Sequence, residues 1–225
     1  MSQTATYKDI GVSQEGPVGQ IEIQRPPHNY FDNAMINQIA DALEAFDADA
    51  SCRAVVLCAQ GKSFCAGADL PNRPATGSGG EGGGAAKHLY KEATRIFRSK
   101  KPIVAAVQGA AIGGGLGLAM VADFRVTCSE ARFSANFNRL GFHPGFALTY
   151  TLPRLIGQQK ANLLFYTGRR VPGDEAVAMG MADVLAPLEE VRSAATALAT
   201  EIAQSAPLAV IATRETMRRG FADAA

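Results

Sequence analysis

Two short glycine-rich turns are the first places in this chain where the residue types point to chemistry. One is Cys65-Ala-Gly-Ala-Asp69, and the other is Gly113-Gly-Gly-Leu-Gly117. Each turn follows an apolar stretch, and its small side chains leave backbone N–H groups uncovered. Because the first N–H groups of a helix are unpaired and lie at its positive end, each turn can hold a carbonyl oxygen. Two such turns facing each other would form an oxyanion hole.

Two other interpretations of these glycines stay open on the residues alone. The glycines could simply allow one backbone to pack closely on another. A dinucleotide site at the second turn would need glycines at the first, third and sixth positions, but the sixth position counted from Gly113 is Leu118. Glu130 lies near the distance expected for a ribose-binding acid, though in a different local pattern. The nucleotide interpretation is therefore disfavoured.

Residues 103–122 run for twenty positions without a charge, and on length alone such a stretch qualifies as a membrane span. It also has the GxxxG spacing of packed membrane helices, at Gly109/Gly113 and Gly113/Gly117. Glycine is unfavourable in a helix interior, however, and the triplet at 113–115 favours a break between two elements. The stretch predicts a buried strand, a tight turn and a buried helix.

The elements around these turns alternate between strand and helix. Alternating apolar residues predict a strand over 18–23, and apolar residues three to four apart predict a helix that is capped by Asp32 and ends near Asp47. The continuous apolar run 54–59 is typical of a strand buried on both faces of a parallel sheet. The remaining predictions are strands at 103–107 and 125–127, an irregular segment at 133–146, a helix ending near Asp123, and helices at 85–99, 147–155, 158–166, 174–179, 187–204 and 207–218. Residues 71–86, which contain six glycines, are expected to be mobile.

Composition excludes several classes of protein. The 225 residues are 47% hydrophobic, with 22 Lys+Arg against 21 Asp+Glu and a net charge of +1. A chain disordered throughout would be less apolar, and a nucleic-acid binder that relies on a basic field would carry excess positive charge. The four cysteines lack metal-ligand spacing and disulfide density, and the N-terminus has no apolar export segment. We therefore expect a cytoplasmic protein with reduced thiols and no membrane or nucleic-acid partner.

Three longer runs and one short motif are more specific than either turn alone. The runs are 61–70 (GKSFCAGADL), 102–117 (PIVAAVQGAAIGGGLG) and 166–180 (YTGRRVPGDEAVAMG), and the short motif is Arg25-Pro26 with Asn29. Together they resemble the enoyl-CoA hydratase/isomerase (crotonase) superfamily over about residues 7–218. The resemblance implies an α/β fold, a spiral of β-β-α units with C-terminal helices. It makes 1–225 a single crotonase-like domain, with a core at about 7–186 and a helical part at about 187–225 that looks shortened.

The resemblance also implies a substrate and its binding residues. The substrate would be an acyl-CoA thioester, with coenzyme A as part of the substrate and no separate cofactor, and the assembly would be a homotrimer or a hexamer made of two trimers. The N–H groups of Ala68 and Gly114 would form the oxyanion hole. Lys62 could meet phosphate or simply be solvated. The residues expected to contact the substrate are His28, Lys62, Ala66, Gly67, Asp69, Leu70, Tyr90, Gly113, Gly117, Phe137, Leu140 and Gly145.

The sequence departs from the family at its acidic positions. Hydratases of the family carry one glutamate where this chain has Gly117 and a second where it has Phe137, and other members place an aspartate at the position of Gly145. A positioned acid or base contributes about 10² to 10⁴ in rate. We therefore expect weak or absent hydration of enoyl-CoA, and isomerisation, decarboxylation or related chemistry is favoured.

Few titratable groups remain for proton transfer. His143 lies on the loop that lines the acyl pocket in the family, so it is a candidate acid or base, although a structural hydrogen bond would also explain it. Tyr90 matches a position where a dehalogenase-like branch carries a catalytic histidine, and core packing is the alternative there. Cys65 has no sequence-adjacent base that would make it a nucleophile. The competing hypothesis is an acyl-CoA-binding protein that has lost turnover.

Overall fold

A computed structural model of the protein describes residues 7–68 and 89–220. In these residues the strands are β1 Ile10–Glu15, β2 Val18–Ile23, β3 Ala54–Ala59, β4 Ser63–Cys65, β5 Ile103–Val107, β6 Ala110–Ile112, β7 Phe124–Thr127, β8 Arg132–Ser134, β9 Val171–Pro172 and β10 Val184–Leu185. The α-helices are α1 Asn33–Ala48, α2 Leu89–Phe97, α3 Gly114–Val121, α4 Leu148–Ile156, α5 Gln158–Thr167, α6 Gly173–Ala178, α7 Val191–Ala203 and α8 Pro207–Met217. Short 3-10 helices cover Asn136–Leu140 and Leu188–Glu190.

The strands form two sheets. The larger has the order β1-β2-β3-β5-β7-β10 and the smaller the order β4-β6-β8-β9. Every neighbouring pair is parallel except β1 with β2 and β8 with β9. Strands β3, β5 and β7 of the larger sheet lead in turn to β4, β6 and β8 of the smaller one. This arrangement is the predicted spiral of β-β-α units.

The segments with the clearest sequence patterns form the elements that were predicted for them. All residues of β3 and β5 are buried, as their continuous apolar runs require. Helix α1 begins where the Asp32 side chain accepts a hydrogen bond from the Met35 N–H at 2.9 Å, and it buries apolar residues three to four apart. These elements form one hydrophobic core with α3.

The uncharged stretch 103–122 is split as its glycines predict. It forms β5, the additional short strand β6, and the buried helix α3, which starts inside the glycine triplet. Among the described residues, no single helix is long and apolar enough to cross a membrane. Only Leu188–Ala203 and Pro207–Met217 taken together pass such a test, and they are bent by 106° at their break.

Several expectations need correction. The segment 133–146 is not wholly irregular, because it contains most of β8 and the 3-10 helix. The helix expected at 187–204 starts as the 3-10 turn Leu188–Glu190 before α7. Strand β1 was not predicted, because its apolar alternation ends at Val12 and its last three residues are polar and exposed. The short strands β4, β6, β9 and β10 were not predicted, because two or three residues carry too little periodicity. The expected mobility of 71–86 and the helix start at 85–88 lie outside the described residues.

Candidate active site

The two glycine turns leave adjacent strands at the same edge of the smaller sheet. Strand β4 pairs in parallel with β6, with Cys65 opposite Ala111, so both chains turn away at neighbouring positions. Gly67 has a left-handed φ of +97°, and a Cβ placed there would lie 2.9 Å from Ile112 O and 3.7 Å from Gly114 N. Glycine is therefore required at Gly67 by both backbone conformation and space. Its close approach brings the two turns together.

One backbone donor on each turn is available. Gly114 is the first residue of α3, so its N–H has no acceptor within the helix. The Phe31 N–H donates to Gly67 O at 2.9 Å and forms an isolated parallel bridge with Ala68, a pattern that leaves Ala68's own N–H pointing away from Phe31. Within the described part of the chain neither N–H has a backbone acceptor. Both can donate to an oxygen brought to this edge.

The first turn is held from outside by the loop that precedes α1. The Ala66 N–H donates to His28 O at 2.9 Å, next to the Phe31–Gly67 bond. Asn29 is fully buried, and its amide donates to Gln60 O at 2.8 Å and to Ser63 O at 2.7 Å. The first residues of the turn and the chain that leads into it are therefore held in place, which is the preorganisation that an oxyanion hole needs.

The glycine triplet also tests the alternative that these glycines only allow close packing. A Cβ at Gly115 would overlap Cys65 O, and one at Gly114 would overlap the Phe31 ring and come within 2.9 Å of its Cε1. Close packing thus does require glycine at both positions. The same packing places the start of α3 against the end of β4, so the structural and functional interpretations are compatible.

An aromatic side chain fills the space beside Gly117. A Cβ on Gly117 would overlap Phe146 Cβ and lie 2.8 Å from its Cγ. The Phe146 side chain is buried, and its ring centroid lies 5.7 Å from that of Phe31 and 6.1 Å from that of Phe97. Residues three apart on a helix share a face, so Phe31 and Phe146 together cover the Gly114 and Gly117 positions of α3. No carboxylate can project from position 117 while Phe146 stays in place.

The other predicted residues are divided between this region and the surface. Phe137 is half-buried, and its ring would lie 3.9 Å from a Cβ on Gly113. Lys62 and His28 are exposed, and the His28 ring lies 5.3 Å from that of Tyr30. The remaining predicted positions are distributed as follows: Ala66, Ala68, Gly113, Gly114 and Gly145 are half-buried, Gly67 and Gly117 are buried, and Leu140 and His143 are exposed. Asp69, Leu70 and the Tyr90 side chain lie outside what the structure describes.

Cys65, considered above as a nucleophile, and Asp123, near which a helix was expected to end, both lie in environments that favour structural roles. Burial raises the pKa of the Cys65 thiol to about 12, so at neutral pH it is protonated and unsuited to nucleophilic attack. Asp123 follows α3 and accepts hydrogen bonds from the Ile103 N–H and the Arg214 guanidinium, each at 2.8 Å. In the described residues no group of three or more His, Cys, Asp or Glu side chains is placed to hold a metal ion.

Phe31 and Phe146 are the site residues that the sequence analysis missed. Phe31 comes two residues after Asn29 of the short motif, so its position near the first turn could have been inferred. Phe146 follows Gly145 in a segment without periodicity, and nothing in its local sequence indicates that it packs on Gly117. Its burial depends on a left-handed backbone, with φ of +55° at Phe146 and +56° at Ala147.

Comparison with known proteins places this arrangement in a family. The model of the enoyl-CoA hydratase/isomerase family matches residues 13–225. A probable enoyl-CoA hydratase of Bacillus subtilis is 33% identical over 88% of this chain and 77% of its own length. A short-chain-enoyl-CoA hydratase of Clostridium acetobutylicum is 32% identical over 95% of this chain and 82% of its own.

Solved structures agree with the sequence comparisons. The enoyl-CoA hydratase of Bacillus anthracis superposes with a TM-score of 0.87 at 30% identity, covering 95% of this chain and 84% of that one. An enoyl-CoA hydratase/isomerase from Pseudoalteromonas atlantica gives a TM-score of 0.86 at 30% identity, covering 96% and 85%. The fold and its two glycine turns thus define a crotonase-type α/β protein. The chain belongs to the enoyl-CoA hydratase/isomerase family.

Proposed function

We propose that this protein acts on an acyl-CoA thioester through an enolate whose oxygen accepts hydrogen bonds from the Ala68 and Gly114 N–H groups. The observation that carries the proposal is the convergence of two turns, each with one available donor, at one edge of the smaller sheet. The family match and the names of the similar proteins, which refer to enoyl-CoA, favour the same substrate class.

The chemistry depends on stabilising charge as it develops. When a bond at the carbon next to the thioester breaks, its electron pair moves into the carbonyl and the oxygen becomes negative. Preorganised N–H donors in a site that excludes water stabilise that oxygen more in the transition state than in the substrate. The dipole of α3 adds a favourable field at Gly114.

Reactions that need few acidic side chains fit the residues of this site better than hydration does. Hydration requires a group to activate water and a group to deliver a proton, and the family positions for these groups hold Gly117 and Phe137. The overlap of Phe146 with any side chain at 117 strengthens this inference. Decarboxylation of a malonyl-type thioester needs no base, because loss of CO₂ itself leaves the electron pair that forms the enolate. A proton from solvent or from exposed His143 then completes the product.

A panel of thioesters tests the proposal. Wild-type protein is incubated with crotonyl-CoA, with a saturated acyl-CoA in D₂O and with a malonyl-type thioester, and NMR follows hydration, α-proton exchange and CO₂ loss. We expect decarboxylation or exchange to exceed hydration. His143→Ala should abolish exchange if His143 is the base and leave decarboxylation within a few fold. Crotonyl-CoA turnover typical of an efficient hydratase would contradict the preference for decarboxylation or exchange over hydration.

A matched pair of variants tests the oxyanion hole. Gly114→Pro removes the N–H at the first helical position, where proline is tolerated, whereas Gly114→Ala keeps it. Both substitutions add a Cβ that meets Phe31, so that part of the steric cost is shared, whereas the proline ring also places Cδ where the N–H was. We expect Gly114→Pro to react about 10² to 10³ times more slowly than Gly114→Ala. Equal rates in two folded variants, as judged by circular dichroism, would rule out the Gly114 donor.

Binding without turnover is the second candidate function. It is favoured by the burial of the aromatic side chain beside Gly117, because this leaves the first hydratase position without a carboxylate. Acyl-CoA binding measured by calorimetry, together with no reaction of any thioester in the panel, would support it. Reaction of one thioester would exclude it.

A further inference from the structure

We propose that Phe146 is a specificity-determining residue that restricts the site to short acyl groups. This inference rests on the proposed function and adds to it the class of acyl group. Its basis is the position of the Phe146 side chain, which occupies the volume next to Gly117, one helical turn from the Gly114 donor. A thioester whose carbonyl oxygen lies at the Gly114 N–H has its α-carbon nearby. The next carbons of the acyl chain must therefore pass the Phe146 ring.

The Phe146 ring is fixed in place from several sides. It packs against Phe31 and Phe97, and only 3% of the residue's surface is exposed. Phe31 is itself held by its N–H bond to Gly67 O at the first turn. A ring held by both the first turn and α2 cannot swing aside at low cost, because buried side chains in a packed core have few alternative rotamers.

The backbone at Phe146 has an uncommon conformation, which the surrounding structure must hold in place. Phe146 and Ala147 have left-handed φ values of +55° and +56°, which are uncommon for residues other than glycine. Helix α4 begins directly after them, at Leu148. The left-handed pair therefore turns the chain so that the Phe146 ring points inward at α3, immediately before a helix that fixes the segment.

The volume beside Gly117 is filled by the Phe146 side chain. Any Cβ at 117 would overlap Phe146 Cβ, so that volume can hold either the Phe146 side chain or additional atoms from another source. Removing the Phe146 side chain would open the volume to the acyl group. An aliphatic chain entering it would gain affinity with each methylene that it buries there.

Isothermal titration calorimetry with acetyl-, butyryl-, hexanoyl- and octanoyl-CoA tests this role. Phe146→Gly removes the ring and suits the left-handed φ, and Phe146→Leu retains part of the volume. We expect Phe146→Gly to shift the ratio of hexanoyl-CoA to acetyl-CoA affinity by about 10- to 200-fold toward hexanoyl-CoA, the range for methylene discrimination in apolar pockets. Phe146→Leu should shift this ratio less.

Phe97→Ala is the matched control. It deletes a ring of the same size from the same cluster, but Phe97 is not among the atoms nearest to a Cβ at Gly114 or Gly117. It should leave the chain-length preference within about threefold, far below the range expected for apolar pocket contacts. An unchanged preference in folded Phe146→Gly, or an equal shift in Phe97→Ala, would overturn the role of Phe146 while leaving the proposed function intact. Failure of wild type and all variants to bind any of the four thioesters would overturn both.

Discussion

Asn29 shows how a single residue can fix the geometry of the first glycine turn from outside it. It has a left-handed φ of +52° and no exposed surface. Its Oδ1 accepts the Arg25 N–H at 3.0 Å, and its Nδ2 donates to Gln60 O and Ser63 O. The side chain thus joins the loop before α1 to the residues that lead into β4. Few residues besides Asn combine both hydrogen-bonding roles with tolerance of this backbone conformation.

Asn29→Ala is predicted to reduce both stability and reaction rate. Three hydrogen bonds disappear from a buried position, two carbonyls lose a donor, and alanine disfavours the positive φ. We expect the free energy of unfolding to fall by about 3 kcal/mol in urea denaturation, with slower enolate formation in the folded fraction. The exposed Gln14→Ala, which also breaks side-chain hydrogen bonds, should cost less than about 0.5 kcal/mol. Similar losses for the two variants would contradict this role.

The cysteines give a second prediction at the residue scale. Cys52, Cys58, Cys65 and Cys128 are all buried free thiols, and burial raises the pKa of Cys58 and of Cys65 to about 12. Because the thiolate is the reactive form, native protein at pH 8 should consume almost no Ellman reagent, whereas urea-unfolded protein should consume four equivalents. Rapid reaction of one native thiol would show that a cysteine is accessible and ionised.

At the scale of elements, the sequence is informative where a pattern extends over five or more residues. Strands β2, β3 and β5 have the predicted bounds, and α1 has the predicted cap, because their apolar periodicity is decided locally. The short strands of the smaller sheet are defined by their partners. Nothing within residues 110–112 indicates that they pair with both β4 and β8.

The same distinction separates the parts of the site that could be predicted from those that could not. Ala68 and Gly114 could be predicted as donors because a backbone donor site needs particular residue types in order. Phe146 was missed because its contact with Gly117 joins positions 29 residues apart and depends on the turn at Ala147. A sequence pattern therefore predicted the donor positions, but only tertiary packing revealed that Phe146 fills the space beside Gly117.

The ion pair between Arg25 and Asp9, the residue just before the edge strand β1, offers a test of pH dependence at this scale. Arg25 lies 2.7 Å from the Asp9 carboxylate, which also accepts a hydrogen bond from Gln38 at 2.7 Å. The hydrogen bond from Arg25 is the main cause of a lowered pKa at Asp9. The resulting stability is present above the unfolded-state pKa of about 3.9 and is lost as pH falls through the lower folded-state pKa.

Asp9→Asn should therefore be less stable than wild type at pH 7, by about 1 to 3 kcal/mol, and should lose less stability on acidification. Urea denaturation between pH 7 and pH 3 measures both effects. Asp32 also pairs with Arg25, at 3.0 Å, but its side chain is 51% exposed, so Asp32→Asn should change the pH profile less. Parallel pH profiles for wild type and Asp9→Asn would contradict the assignment.

At the scale of the whole molecule, Asp123 joins three distant parts of the chain. It follows α3, it accepts the N–H of Ile103 at the start of β5, and it pairs with Arg214 of α8, 91 positions away. Arg214 also donates to Ser99 O, and Arg218 donates to Val121 O at 2.5 Å. The C-terminal helix is thereby tied to the same helix whose first residue carries the Gly114 donor.

Asp123→Ala is predicted to loosen both α8 and the start of β5. It would leave Arg214, which is 8% exposed, without its carboxylate, and breaking a buried pair from one side costs about 3 to 5 kcal/mol. Asp123→Asn should cost less because it keeps an acceptor oxygen. Hydrogen exchange at the Ile103 amide should accelerate in Asp123→Ala, because its acceptor is gone.

The exposed pair between Arg169 and Glu175 supplies the comparison. Its atoms lie 2.7 Å apart, but both side chains are more than 40% exposed, so Glu175→Ala should cost less than about 1 kcal/mol. If Asp123→Ala is equally mild and Ile103 stays protected, α8 is held by apolar contacts rather than by Asp123. If instead the reaction rate falls together with Ile103 protection, the anchoring of α8 extends through α3 to the turn at Gly114.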